Sequence, residues 1–327
     1  MAEFPLVGLA AEDDGLHVAT GDPWWREAWY FEFYDPRVNV QFQAYQGVFP
    51  NQETGDLCAA FFHAGHMVHS ELKMDFHVPA ASPPEERLCF GPMQMEMLEP
   101  YARWRIRYDT SDVQADLEFT AVKPPFSWAA ARLWMETAQD PQQRSQHFDQ
   151  FGRYTGRVWI RNQEQKIDAL GFRDRMWGWG GRRAWRNYAI LWAGFSEEFV
   201  ANIAVQEFTG GRIALTGYLV RDGKQELLRR ASIDFHWDAH RWKTLAGVHV
   251  QAEDLAGRAV EFTGKPQGIL DTAHRWPHRS DHMLFSVGEY RCEGKVGHGV
   301  MNWAFATLAG RPARFEAQIE DLPKGGR

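Results

Sequence analysis

Strict alternation of apolar and polar residues recurs along the chain. It is plain in Val38-Asn-Val-Gln-Phe-Gln-Ala44, in Val113–Ala121 and in Ser232-Ile-Asp-Phe-His-Trp-Asp238. In Arg103-Trp-Arg-Ile-Arg-Tyr108, three arginines share one side and Trp104, Ile106 and Tyr108 the other. A period of two belongs to strands with one buried face, so these segments predict antiparallel sheet. Turn signals separate them at Arg221-Asp-Gly-Lys224, Asp254-Leu-Ala-Gly257 and Glu293-Gly-Lys295. One helix is predicted, Trp128–Thr137, after Pro124-Pro125 and with Ser127 as its cap. Strands and helices do not alternate, which argues against Rossmann and TIM architectures. The pattern predicts an all-β chain. Its 327 residues fit two barrel or sandwich domains. A turn and a charged segment meet at Arg221–Arg230, so the expected domains are residues 1–222 and 223–327.

Composition narrows the function classes. With 44% hydrophobic and 24% charged residues the chain is globular, not disordered. A net charge of −7 speaks against nucleic acid as a partner, which would call for a basic stripe. No apolar run is long enough for a membrane helix, and Met1–Ala11 lacks the cationic start of a signal peptide. Cys58, Cys89 and Cys292 form no CxxC pair and read as reduced thiols, so a cytoplasmic location is expected. A homodimer is compatible with this composition. The 15 Trp, 22 Phe and 9 Tyr fill an aromatic-rich β core, line a ligand cavity, or do both.

The most unusual stretch is Gly152–Gly194. A hairpin with a turn at Asn162–Gln165 leads into a loop rich in Gly, Trp and Arg: Gly171-Phe-Arg-Asp-Arg-Met-Trp-Gly-Trp-Gly-Gly181. Asp174 stands between Arg173 and Arg175, just before Trp177 and Trp179. Two guanidiniums would hold that carboxyl ionised unless strand alternation turns both away from it. Such a cluster either locks the end of a barrel or lines a site.

Here the sequence resembles a known family. Gly152-Arg-Tyr-Thr-Gly-Arg-Val158 followed by Gly171-Phe-Arg-Asp-Arg-Met-Trp-Gly178 is similar to the motifs of hydroxyneurosporene synthase (carotenoid 1,2-hydratase)-like and AttH-like proteins. Pro92–Tyr108 and Val287–Gly299 resemble their uncharacterised bacterial branch. Asp174, Trp177 and Gly178 match the motif position by position. Arg175 stands where a histidine is expected, so that histidine's proton-donor role does not carry over. The resemblance implies two lipocalin-like antiparallel β domains packed together around a hydrophobic ligand. It also implies chemistry of the hydratase or cyclase kind.

Alkene hydration needs a carboxylic acid kept neutral, ring faces to shield a cation, and water delivered from one side. The candidate acids are Asp174 and, at the end of the stripe Met283, Phe285, Val287, Glu289. Trp177, Trp179, Trp185, Trp192, Arg173 and Tyr290 are the candidate ligand contacts. No cofactor is expected. Nor is a metal: His63, His66 and His69 would alternate faces on a strand, and Pro277 breaks any helix carrying His274, His278 and His282. The function expected is that of a cofactor-independent lyase, isomerase or cyclase. Its substrate would be a hydrophobic isoprenoid, polyketide or steroid-like molecule. The alternative is a lipocalin-like carrier of such a ligand.

Overall fold

The computed structural model describes residues 8–79, 86–131, 146–179, 185–208, 210–272, 281–306 and 310–319. The chain is all β, and the described residues contain no α-helix. It divides into two compact units, one built on Met1–Arg183 and the other beginning at Ala184. Of the predicted helix, the described part is a single 3-10 turn, Trp128–Ala131; the remainder lies outside the described residues.

The first unit contains β1 (Trp25–Asp35), β2 (Val40–Phe49), β3 (Thr54–His63), β4 (His66–His77), β5 (Cys89–Phe90), β6 (Met93–Glu99), β7 (Arg103–Asp109), β8 (Val113–Ala121), β9 (Phe126–Ser127), β10 (Gln146–Ile160) and β11 (Gln163–Trp179). They form one antiparallel sheet in the order β4-β3-β2-β1-β11-β10-β8-β7-β6-β5, with β9 paired to β10. The second unit contains β12 (Trp185–Ser196), β13 (Phe199–Phe208), β14 (Ile213–Arg221), β15 (Lys224–Trp237), β16 (Leu245–Asp254), β17 (Ala259–Asp271), β18 (Asp281–Cys292), β19 (Lys295–Ala306) and β20 (Arg314–Gln318). Their order is β14-β13-β12-β19-β18-β17-β16-β15-β20, and a further β14–β15 pairing closes the sheet on itself.

The division falls between Arg183 and Ala184, thirty-nine residues before the expected one. Arg221-Asp-Gly-Lys224 is the hairpin turn between β14 and β15, with Arg221 paired to Lys224 inside one sheet. A turn signal marks a chain reversal, and it is the same whether the reversal falls within a domain or between two.

Each sheet has its own apolar core. In the first unit Trp29, Phe31, Phe33, Phe42, Trp104, Phe119 and Tyr154 pack together. In the second, Leu191, Ile203, Leu219, Phe262, Tyr290 and Trp303 do so. The alternation of Arg103-Trp-Arg-Ile-Arg-Tyr108 is realised as predicted. Trp104, Ile106 and Tyr108 are buried, while Arg103 pairs with Glu118 at 2.9 Å and Arg105 with Asp116 at 2.6 Å on the solvated side. β1 behaves differently. Nearly every residue in it is buried, so both of its faces are covered.

Candidate active site

The stretch expected to be a loop is the end of β11. It is bonded on both sides, to β1 and to β10, as far as Trp179 and Trp177 respectively. Gly171 permits this close packing: a Cβ there would lie 2.4 Å from the Glu32 carbonyl oxygen and 2.7 Å from the Tyr154 ring. Strand alternation then sorts the motif onto two faces. Arg173, Arg175 and Trp177 point into the barrel interior, and Phe172, Asp174 and Met176 point the other way.

On the interior face the two arginines are fully buried and matched by carboxylates. Arg173 donates to both oxygens of Asp14 at 2.6 and 3.0 Å and to Gln150 Oε1 at 2.8 Å. Its guanidinium also lies over the rings of Trp104 and Phe148. Arg175 pairs with Glu27, donates to the Gly15 carbonyl at 2.5 Å and sits 4.1 Å from the centre of the Trp29 ring. Burial alone would raise the Glu27 carboxyl, but Arg175 and His17 outweigh it and hold it below its usual range. Trp177 packs with Trp25 and Phe148 and stacks on His17 at 4.6 Å. Arg173 and Trp177, expected to contact ligand, are held in contacts within the first unit, to Asp14 and Gln150 and to Trp25, Phe148 and His17 respectively.

Asp174 faces the opposite side, free of both arginines. It is level with Tyr30 on β1 and with Asp149 on β10. One step along are Glu32 on one side and His147 on the other, so five polar side chains share this face of three neighbouring strands. His147 Nε2 lies 3.2 Å from Asp149 Oδ1 and 3.4 Å from Asp174 Oδ2. Trp128 stacks on the His147 ring at 3.8 Å and donates its Nε1–H to Asp149 Oδ2 at 2.8 Å. Burial works against a charged His147, yet Asp174 and Asp149 push its pKa up to about 9. Burial raises the Asp149 carboxyl, with His147 opposing. Glu32 is fully buried, accepts a hydrogen bond from the Tyr30 hydroxyl, and is held well above the usual carboxylate range by burial and then by the charge of Asp174. Asp174 is the accessible member, its side chain 19% exposed.

This is the arrangement acid–base chemistry requires: a carboxyl kept neutral beside one flanked by an imidazolium. His147, Asp149 and Asp174 also place one nitrogen and two oxygens within 4.8 Å of one another, the donor set that a single divalent cation would take. That set is distinct from the histidine triplets weighed in the sequence.

The other candidates lie elsewhere. Glu289 is on β18 in the second unit, 29% exposed and paired with Arg291 at 2.7 Å. Tyr290 is fully buried in the second core and donates to the Val300 carbonyl at 2.5 Å. Trp192 is buried on β12, on the face opposite Leu191. The side chains of Trp179 and Trp185 lie outside the described residues. Sequence reading missed Glu32, Tyr30, His147, Asp149 and Trp128. The available signal was Glu27 and Glu32 within the aromatic run Trp25–Asp35. Their odd and even positions place one carboxylate on each face of a doubly buried strand.

Comparison with known proteins follows this geometry. One family model, described as "Domain of unknown function (DUF7064)", matches residues 10–307. No curated protein matches the sequence. An AttH-like protein of Nitrosomonas europaea has the same fold, with a TM-score of 0.64 and 14% identity over 95% of this chain and 97% of that one. Kievitone hydratase from Nectria haematococca aligns with a TM-score of 0.58 and 10% identity over 86% of this chain and 88% of its own. CghA, in a structure with Sch210972, aligns at 0.59 and 12% identity over 91% and 90%. At these identities the likeness is one of fold. It supports the double lipocalin-like fold that the resemblance implied.

Proposed function

We propose, from the premise that the chain belongs to the DUF7064 family, that it is a cofactor-independent acid–base enzyme of the hydratase or cyclase kind. Its substrate is a hydrophobic small molecule of isoprenoid, polyketide or steroid-like character. The carrying observation is the placing, on one face of β1, β11 and β10, of a fully buried Glu32, whose carboxyl is pushed well above its usual range by burial, with an accessible Asp174 backed by His147. The structural neighbours support this reading: one is a hydratase by name, and CghA was crystallised with a small molecule.

In hydration, Glu32 supplies a proton to one alkene carbon through the hydroxyl of Tyr30. Ring faces shield the cation that forms on the other carbon. Water attacks there, and Asp174, held by His147, takes the proton that the water loses. Exchange with solvent returns the proton to Glu32. In cyclisation the same groups would orient and polarise the substrate with no net proton transfer.

The test is incubation with a panel of trisubstituted isoprenoid and aryl alkenes in oxygen-18-labelled water. Hydration adds one labelled water, and cyclisation gives an isomer of unchanged mass. Asp174→Asn and Glu32→Gln should each lower turnover about 100-fold or more. Unchanged turnover in both variants would overturn the assignment. A carrier is the second reading, favoured by a cavity of about 620 Å³ in the first unit lined by Leu16, Leu88, Met95, Met97 and Trp104. Co-purified ligand without turnover of any panel member would select it.

A further inference from the structure

Among the described residues, three arginines of the first unit are buried, and they are not alike. Arg173 is matched by Asp14 and Arg175 by Glu27. Arg26 is 8% exposed, yet no carboxylate among the described residues pairs with it. Its one hydrogen bond runs from Nη2 to the thioether sulfur of Met176 at 3.2 Å, and its guanidinium carbon lies 6.0 Å from the centre of the Tyr45 ring. A thioether is a weak acceptor, and a guanidinium carries five donors and stays charged at any working pH. A cation removed from water without a counter-charge is among the costliest arrangements a fold can hold.

Among the described residues, the strand neighbours of Arg26 are small. Its cross-strand neighbour on β11 is Gly178, the next residue on its own face is Ala28, and Ala28 is opposed on β2 by Gly47. Gly178 has a φ of 105°, which few side-chain-bearing residues adopt. A Cβ on Gly47 would lie 2.6 Å from the Tyr45 hydroxyl, so the Tyr45 ring lies across it. These neighbours bring no counter-charge, and the side chains beside the guanidinium are Tyr45 and Met176. Met176 is two residues from Asp174 on β11, about 7 Å along the strand. Arg26 and the acid–base cluster therefore share one face of β1 and β11.

We infer that Arg26 anchors an anionic group of the substrate, a carboxylate or another planar oxyanion at one end of an otherwise apolar molecule. The guanidinium fork fits two coplanar oxygens, and such pairing is both stronger and more directional than that of an ammonium. Arg26 is level with Gly178, four residues or about 13 Å along the strand from the Asp174 row, and its fork leans toward Met176, so the reacting carbon lies toward the far end of the molecule from the anion. This inference rests on the proposed function for the location of the chemistry, but anion binding can be measured without turnover.

The probes are geranate and trans-cinnamate, each compared with its neutral primary amide by equilibrium dialysis against the full chain. The expected result is at least about tenfold tighter binding of an acid than of its amide, lost in Arg26→Met and partly kept in Arg26→Lys. Arg26→Met should also melt no lower than wild type in the absence of probe, because it removes an unpaired buried charge. A structural arginine would give the opposite shift. Amides binding as tightly as acids, acid binding that survives in Arg26→Met, or no binding of either acid up to its solubility limit would each overturn the inference. The wild-type chain separates the two claims. Acid binding by wild type alongside a panel showing no wild-type turnover would retire the enzymatic reading and leave the anion anchor standing.

Discussion

Replacing Asp14 with Ala should be among the most damaging single changes in the first unit, although Asp14 lies in a short 3-10 turn, Ala11–Asp14, ahead of the sheet. Its carboxylate accepts from Arg173 Nη1 at 2.6 Å and Nη2 at 3.0 Å, from the Tyr101 amide at 2.7 Å and from Trp104 Nε1 at 3.0 Å. Asp14 and Arg173 are both fully buried. Removing one partner of a buried pair leaves the other charge uncompensated and costs about 3–5 kcal/mol. The stranded Trp104 and Tyr101 donors add to this, although such terms do not sum simply. The double variant Asp14→Leu/Arg173→Met removes both charges and should recover most of the loss, since apolar replacements of a whole buried pair are often neutral. Urea unfolding followed by tryptophan fluorescence reads both. The single variant should lower the midpoint by about 1 M or more, for slopes of roughly 1–3 kcal/mol/M. A single variant costing less than about 1 kcal/mol, or a double variant as unstable as the single, would refute the argument that Arg173 is a structural cation.

Three further outcomes follow. The folded-state pKa of His147, about 9, lies above the ordinary 6.5, so its stabilising contribution is full below pH 6.5 and is lost as the pH rises through 9; melting temperatures from pH 6 to 10 should show this decline in wild type and lack it in His147→Gln. Glu32 is likewise raised, so its charge becomes a burden at higher pH. Glu32→Gln should melt higher relative to wild type at pH 8 than at pH 5, and a difference independent of pH would count against a neutral Glu32. Gly171→Ala forces a Cβ to 2.4 Å from the Glu32 carbonyl oxygen and should cost about 1–3 kcal/mol by denaturant titration. Gly65→Ala, with open space around it but a φ of 78°, should cost less, and equal losses would argue against steric exclusion at Gly171.

Much of the fold was legible because most strands bury a single face. In β7 and β8 that one-sidedness appears directly as alternation, and the side on which each arginine falls follows from parity. The same parity separates Arg173 and Arg175 from Asp174, the one site relationship that local spacing could supply. β1 is buried on both faces, so Trp25–Asp35 shows no clean period and its carboxylates do not announce which side they serve. Asp14 meets Arg173 across 159 positions, and no spacing rule reaches that far. His147 and Asp149 stand at the start of β10 and belong to no motif read from the sequence. Their partner Asp174 is set by the β10–β11 register rather than by proximity in sequence.

The two sheets end differently, and this bears on how the protein would fail. In the second unit β14 bonds to β15 and closes a ring of strands, so among the described residues the terminal strand in its order is the five-residue β20. The first sheet stops at β4, twelve residues long, with Met67 and Leu72 exposed. A bare edge of that length invites strand addition and fibre growth. Register shifts at Gly55/Leu57 and Phe61/Phe62 interrupt the β3–β4 ladder, Asp75 adopts a positive φ of 70°, and Glu71, Lys73 and Asp75 add charge along the rim. An incoming strand would meet a bent, charged border out of step with its own spacing. Aggregation of concentrated stocks should therefore begin only where this protection is lost, and charge-neutralising substitutions at Glu71 or Lys73 would shorten the shelf life of the preparation while leaving its folded core untouched.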